Sequence, residues 1–192
     1  MKEYRIHVEE LLDPLYRHGC RVFSVVGSGG KTTLIRQAAM HYARLYQVGV
    51  AASTKMCLPD GQWEYQGCPP AVVSSDGQGD AKRQAAPICF YTERILPSGK
   101  IWDLGEQMLG QALEESDLLL IEADGSNRKP LNGWREDEPV IIPATEATIG
   151  ILPMHCLGEI LDVTKVHRME KFTAITGLEP GDVMTEKAYL QL

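Results

Sequence analysis

A short stretch near the start of the chain combines one cation, three hydroxyls and three glycines within seven residues. Its members are Gly27, Ser28, Gly29, Gly30, Lys31, Thr32 and Thr33. Glycines between a strand and a helix let successive backbone N–H groups point at one anion, and the positive end of the helix adds to that attraction. Lys31 supplies a full charge, and Thr32 supplies a hydroxyl for Mg²⁺. The stretch predicts a P-loop site for a nucleoside triphosphate, ATP or GTP, bound with Mg²⁺.

The spacing within this loop follows the short form GxxGK[ST]. Val25 stands where the longer form GxxxxGK[ST] needs a glycine. The short form with its doubled threonine resembles the loops of the Mur-type amide ligases and of several phosphate-activating enzymes. The alternative interpretation is an ordinary turn between a strand and a helix that binds no ligand.

Two carboxylates close an apolar run that begins at Leu118, and they form the acidic partner of the loop. Glu122 and Asp124 are two residues apart, so on an extended strand they would point to the same side. A carboxylate at the end of a strand beside the loop commonly holds the Mg²⁺ ion of such sites. We therefore predict catalytic roles for Lys31, Glu122 and Asp124, with Thr32 and Asp124 as metal ligands. A solvated acidic strand end is the alternative.

Basic residues elsewhere in the chain are candidates for contacts with the substrates. Lys55 follows a predicted strand, so it would lie at the carboxyl edge of the sheet and could act as a catalytic cation. Arg128 and Lys129 would steer a second, anionic substrate toward the γ-phosphate. His167 and Arg168 would contact a base, a phosphate or nothing. For each of these residues a surface or structural role is the alternative.

A strand, a helix and a second strand must position the loop. Residues 21–26 form a short β-branched run that predicts a buried strand, and apolar residues within 34–43 recur at helical spacing. Residues 48–53 predict the next strand, which completes a right-handed βαβ unit. The predicted fold class is therefore α/β, a P-loop NTPase-like three-layer αβα architecture with a mainly parallel sheet.

The remaining patterns predict the other elements of the same sheet. We expect an N-terminal helix from Ile6 to Tyr16, a helix over 104–115 and a helix over 185–192. Strands are expected at 118–124, 139–143 and 147–152. The region 57–100 predicts short strands and loops, with a mobile flap as one interpretation. No repeat or low-complexity linker divides the chain. We predict one nucleotide-binding domain over residues 1–192.

Charge and composition narrow the expected partners. The chain has 192 residues and a formal net charge of −7, without a long run of Lys or Arg, which argues against a nucleic-acid partner. No apolar stretch approaches the ~20 residues of a spanning helix, and the polar start lacks the centre of a signal peptide. We expect a cytoplasmic protein without a membrane partner. Its five scattered cysteines predict reduced thiols, with Cys68 the candidate for a reactive one.

Several separated motifs together resemble those of one protein family. They are the glycine loop, Ser53-Thr54-Lys55-Met56, Glu122-Ala123-Asp124-Gly125-Ser126, Arg128-Lys129-Pro130-Leu131, Glu138-Pro139-Val140-Ile141 and Val166-His167-Arg168. The family is that of the YqeC-type accessory proteins of selenium-dependent molybdenum hydroxylases. The resemblance runs from Cys20 to Glu186. It implies a P-loop fold and a role in selenium or molybdenum cofactor maturation, with a molybdenum hydroxylase or a selenium-handling protein as the partner.

The resemblance names a pathway and leaves the reaction open. One hypothesis is an enzyme that hydrolyses a nucleoside triphosphate or transfers its phosphoryl group; the other is a nucleotide-gated chaperone that delivers a cofactor without substantial turnover. An amide ligase of the Mur type would need further domains. Family members continue past this point to a segment resembling the Asn-Lys-x-Asp base-reading motif, so we expect a chain shortened at its C-terminus. The choice between ATP and GTP stays open.

Overall fold

The computed structural model describes residues 7–76, 78–79, 86–102 and 104–192. Its helices are α1 (Val8–Arg17), α2 (Lys31–Tyr42), α3 (Glu106–Glu115), α4 (Met169–Thr176) and α5 (Glu186–Tyr189). Its strands are β1 (Val22–Gly27), β2 (Val48–Ala52), β3 (Lys55–Cys57), β4 (Ala71–Ser74), β5 (Ile88–Thr92), β6 (Arg94–Leu96), β7 (Lys100–Trp102), β8 (Leu118–Glu122), β9 (Leu131–Asn132), β10 (Ala147–Ile151) and β11 (Val166–His167).

A six-stranded sheet forms the centre of the molecule, in the order β10-β1-β8-β2-β5-β4. Every pairing in this sheet is parallel. Strands β1 and β8 are neighbours, and their register sets Val25 opposite Glu122. The strand that leads into the glycine loop therefore lies beside the strand that ends in the carboxylates. The predicted α/β fold class, a P-loop NTPase-like three-layer arrangement, is confirmed.

Alternating side chains along the strands build two cores, one on each face of the sheet. Val25 and Leu120 pack with α1 and α2, whereas Leu119 and Ile121 pack with α3. This alternation follows from the period of two in a β-strand. Glu122 is two residues after Leu120, so its side chain lies on the same face of the sheet, the face that α2 covers. The carboxylate thus reaches the side of the sheet where the N-terminus of α2 lies.

A small antiparallel sheet, β3-β7-β6, stands beside the central one. Its strands begin at Lys55 and end at Trp102, so they extend slightly beyond the region 57–100, for which short strands and loops were predicted and are found. Residues 77 and 80–85 of this region lie outside the described residues. The interpretation of this region as a mobile flap stays a prediction.

The last part of the chain forms a third core of its own. Strands β9 and β11 pair in parallel, and α4 and α5 pack around Leu131, Val166 and Phe172. The short 3-10 helix Met154–Cys156 joins this cluster through the buried Cys156. This unit reaches the central sheet at β10, since the Tyr189 hydroxyl donates a hydrogen bond of 2.5 Å to the Pro153 carbonyl.

Two predicted elements differ from the structure. The predicted strand at 139–143 is wrong: the segment is irregular, because the prolines at both ends cannot donate to a ladder. Its apolar residues Val140 and Ile141 are also 36% and 44% exposed, so no core draws them into a sheet. The helix predicted over 185–192 is confined to α5, and Ile6 lies outside the described residues. Among the described residues, no helix is both long and apolar enough to cross a membrane.

Candidate functional site

A cavity of about 670 Å³ opens over the glycine loop at the carboxyl edge of the sheet. Three parts of the chain form its walls: the loop with the first turn of α2, the strands β3 and β7, and the turn that follows β8. Ligands of α/β sheets bind at this edge, because the loops that follow parallel strands converge there. The cavity therefore gathers residues that are far apart in the sequence.

The backbone of the loop depends on its glycines. Gly27, Gly29 and Gly30 have φ angles of 97°, 74° and 154°, which L side chains rarely adopt. A Cβ atom on Gly27 would also lie 2.2 Å from the carbonyl oxygen of Ile151. The Ser28 hydroxyl donates a hydrogen bond of 2.6 Å to the Pro130 carbonyl, which ties the loop to the turn after β8. The loop is thus held in its shape by contacts on both sides.

Lys31 is bound to the loop and to Asp124. Its ammonium nitrogen lies 2.8 Å from Asp124 Oδ1, with both side chains almost completely buried, and it also donates to the Gly27 carbonyl. The second carboxylate oxygen, Oδ2, accepts from the Gly27 N–H at 2.8 Å and from the Trp134 indole N–H at 2.7 Å. Asp124 therefore links the glycine loop, its lysine and the segment around Trp134.

Thr32 and Glu122 form the second polar pair of the site. The exposed Thr32 hydroxyl donates a hydrogen bond of 2.7 Å to Glu122 Oε2, and both residues line the cavity. Burial raises the pKa of the Glu122 carboxyl, while the Lys31 charge and the Thr32 hydrogen bond oppose that rise and the neighbouring Asp124 adds to it. A cation bound beside Glu122 would lower the pKa of this carboxyl, because the cation stabilises the ionised form.

The donor set of this pair fits a magnesium ion. Mg²⁺ prefers oxygen ligands and keeps several positions for phosphate and water, and Thr32 and Glu122 offer a hydroxyl and a carboxylate side by side on the cavity wall. Asp124, predicted as a metal ligand, is fully buried behind that wall. The geometry favours Glu122 over Asp124 at the metal position. The metal role of Asp124 stays a prediction.

Three of the predicted basic residues lie at the cavity. Lys55, Arg128 and Lys129 line it together with the loop. The Lys129 ammonium is engaged by backbone, because it donates to the carbonyls of Val163 at 2.6 Å and Val166 at 2.9 Å. Lys55 and Arg128 are exposed, so their charges face the cavity space.

His167 and Arg168 lie away from the cavity, in the C-terminal cluster. The Arg168 guanidinium forms a bidentate ion pair with Glu138, whose side chain is nearly buried. Nη2 lies 3.0 Å from Oε1, and Nη1 donates to Oε2. Burial and the neighbouring Arg168 charge lower the pKa of His167. The contacts of Arg168 are those of a residue that ties α4 to the 131–139 segment. Substrate roles for this pair stay predictions.

Four residues of the site were missed in the sequence. Cys57, Lys100 and His155 line the cavity, and Trp134 donates to Asp124. Lys100 follows a Gly99 turn whose pairing with β3 cannot be inferred from local pattern, since only the antiparallel register brings it to Cys57. Trp134 carries no positional signal at all. Its half-buried indole N–H needs an acceptor, but the sequence does not show which residue supplies it.

Comparisons with known proteins show which family the sequence resembles. A family model described as YqeC protein matches residues 23–170. A relative from Escherichia coli (strain K12), named "Uncharacterized protein YqeC", is 33% identical over 165 residues. The match covers 83% of this chain and 62% of that relative, so the chain spans less than two thirds of the relative's length. No solved structure matches the chain.

Proposed function

The chain belongs to the YqeC family, as its motifs predict, and we propose that it binds a nucleoside triphosphate with Mg²⁺ and hydrolyses it. This activity would serve the maturation of selenium-dependent molybdenum hydroxylases, in the handling of selenium or of the molybdenum cofactor. The family resemblance of the motifs supports that setting. The proposed partners are the nucleotide and a molybdenum hydroxylase or a selenium-handling protein.

The observation that carries the proposal is the charge of the cavity over the glycine loop. The chain as a whole has a net charge of −7. Among the described residues, its cavity is nevertheless lined by five Lys and Arg residues and by one carboxylate, Glu122. Concave sites lined by one sign of charge focus the field and concentrate ligands of the opposite sign. A polyanion such as a triphosphate is the ligand that this contrast supports.

Each residue of the site has a distinct proposed task. The backbone N–H groups of Gly29 and Gly30 and the N-terminus of α2 would bind phosphate oxygens. Lys31 would turn from Asp124 toward the phosphates, and Asp124 would keep the loop in place through the Gly27 N–H. Thr32 and Glu122 would hold Mg²⁺, which when bound neutralises developing phosphate charge. Lys55 would add a cation at the γ-phosphate end of the cavity.

A nucleotide-gated chaperone is the second candidate, and one observation favours it. Trp134 and Lys31 share the same Asp124 carboxylate, so a ligand that draws Lys31 away changes the partners of Trp134. The Glu138–Arg168 pair continues the connection from that segment to α4. Nucleotide binding would thereby reach the C-terminal cluster, where a client could sense it.

Titration calorimetry with ATP and GTP, with and without Mg²⁺, tests the proposal. Lys31→Ala should abolish binding, and Thr32→Val should remove only the part of the affinity that depends on Mg²⁺. Lys187→Ala, at an exposed lysine of α5, is the matched control and should bind as the parent chain does. Circular dichroism should establish that each variant is folded.

The outcomes separate the candidates. Micromolar binding that needs Mg²⁺ and is lost in folded Lys31→Ala supports the nucleotide site, and phosphate release then tests hydrolysis. Binding without release, or release that begins only when a client hydroxylase is added, favours the chaperone. Equal binding by Lys31→Ala and the parent chain would refute the proposed site.

A further inference from the structure

The wall of the cavity that faces the glycine loop carries its own set of cations. In the antiparallel pairing of β3 and β7, Cys57 is opposite Lys100 and Lys55 is opposite Trp102. Lys55 and Cys57 are two residues apart, so their side chains leave the same face of the small sheet. The Lys55 ammonium lies 4.5 Å from the centre of the Trp102 ring. Lys55, Cys57 and Lys100 all line the cavity.

A strained turn adds a third cation to this wall. Residues 126–129 form a turn closed by a hydrogen bond of 2.9 Å from the Lys129 N–H to the Ser126 carbonyl. Its central residues, Asn127 and Arg128, have φ angles of 50° and 61°, in the left-handed region that costs free energy for side-chain-bearing residues. Arg128 is exposed on this turn, and its Nη2 lies 3.9 Å from Cys57 Sγ.

Among the described residues, the cations of this wall differ from the other cavity cations in their partners. Lys31 pairs with Asp124, and the Lys129 ammonium donates to two carbonyls. Within the described part of the chain, no carboxylate forms an ion pair with Lys55, Lys100 or Arg128. Like charges on one wall repel one another, so an anionic ligand would relieve that cost.

We propose that Lys55, Lys100 and Arg128 bind a second, anionic substrate while the nucleotide occupies the glycine loop. The inference rests on the proposed nucleotide site, because a Mg²⁺-bound triphosphate at the loop already has Lys31 and the α2 N-terminus. Lys55 is proposed to serve the γ-phosphate as well, so its charge would be shared between the two ligands, whereas Lys100 and Arg128 exceed what the nucleotide needs. The second substrate carries a phosphate-type or carboxylate-type oxyanion, the groups that a guanidinium and two ammonium groups recognise.

Cys57 provides a local readout of this wall. It is exposed, whereas Cys20 and Cys68 are partly buried and Cys89 and Cys156 are buried. The experiment saturates the full chain with Mg²⁺ and a non-hydrolysable nucleotide, as checked by calorimetry on the same sample. Inorganic phosphate is then titrated at constant ionic strength, and alkylation of Cys57 by neutral iodoacetamide is followed by peptide mass spectrometry.

Saturable protection of Cys57 is the expected result, about tenfold when phosphate exceeds its apparent dissociation constant tenfold. Lys100→Gln and Arg128→Gln should each raise the midpoint of that protection about tenfold. They should lower nucleotide affinity by a clearly smaller factor, because they contribute to the field of the cavity but do not contact the triphosphate in the proposed site. Lys187→Gln, the control, should leave the midpoint unchanged.

Two results would overturn the inference. One is alkylation of Cys57 that phosphate does not slow while nucleotide is bound. This result would not contradict the proposed nucleotide site. The other is protection that phosphate gives only in the absence of nucleotide, because the wall would then belong to the nucleotide site itself. If the chain binds no nucleotide, protection that Lys100→Gln weakens still supports the anion site, and lack of protection refutes it.

Discussion

The Lys31 ammonium and the Asp124 carboxylate form an ion pair of 2.8 Å in which the side chains are 3% and 0% exposed. A buried pair is costly to desolvate, and its charges persist because each compensates the other. Here the pair also fixes the loop, since Asp124 accepts from the Gly27 N–H. Lys31 is thus held beside the glycine loop by a carboxylate that lies behind the cavity wall.

Removing either member of this pair should destabilise the fold. Lys31→Met or Asp124→Asn leaves a buried charge without its partner, which costs about 3–5 kcal/mol. The double variant should cost less than the sum of the two single variants, because it leaves no charge uncompensated. Urea unfolding of all four chains measures the coupling. If the losses of unfolding free energy in the two single variants add up in the double variant, or if each loss is below about 1 kcal/mol, the two residues are not a coupled buried ion pair.

Nucleotide binding should change the fluorescence of Trp134. When Lys31 turns toward the phosphates, the Asp124 carboxylate that accepts from the indole N–H loses its cation, so the emission of Trp134 should shift. Titration of the parent chain with Mg²⁺-nucleotide checks this, and Trp134→Phe should lose the signal. Trp63→Phe, at the core tryptophan packed on Phe90, should keep it. A signal that survives Trp134→Phe and vanishes in Trp102→Phe would instead report the β7 wall.

The raised pKa of Glu122 predicts a pH-dependent stability. Between the ordinary pKa of glutamate and the raised value, the folded state holds a proton that the unfolded chain has released. Stability therefore falls as pH rises through this window, and it falls no further above the raised pKa. Glu122→Gln removes the titration. The free energy of unfolding of Glu122→Gln minus that of the parent should grow with pH and then level off.

Urea unfolding between pH 4 and 8 measures this difference. Glu114→Gln, at an exposed glutamate of α3, is the control and should stay within about 0.5 kcal/mol of the parent. A difference for Glu122→Gln that shrinks as pH rises would mean that the ionised carboxylate stabilises the folded state. Burial would then not be the dominant influence on Glu122.

Local patterns predicted the loop and the carboxylates, because each belongs to one contiguous strand and its end. The run before Gly27 is β-branched, and the one before Glu122 is apolar, so both strands follow from composition. Their adjacency in the sheet was expected from P-loop chemistry and is found in the register of Val25 with Glu122. The local pattern did not show which of the two carboxylates lies on the cavity wall. The structure places Glu122 there and buries Asp124 behind it.

The parts that escaped prediction depend on contacts between distant segments. Lys100 reaches the cavity only through the antiparallel register with Cys57. Trp134 reaches Asp124 only because the chain after β9 folds back over the strand end. The apolar run at 139–143 predicted a strand, but its backbone is used elsewhere: the Val140 N–H donates to the Ala123 carbonyl. Tertiary contacts overrode the local pattern in each case.

Two glycines should respond in opposite directions to alanine. Gly27 has a φ of 97°, and its added Cβ would meet the Ile151 carbonyl oxygen at 2.2 Å, so Gly27→Ala should cost about 2 kcal/mol or more. Gly110 lies inside α3 with nothing within 4 Å of a Cβ, so Gly110→Ala should stabilise by about 0.5–1 kcal/mol. Urea unfolding measures both changes. A Gly27→Ala chain as stable as its parent would show that the loop can adopt another backbone, and the close approach of β1 to β10 would then not be what holds it.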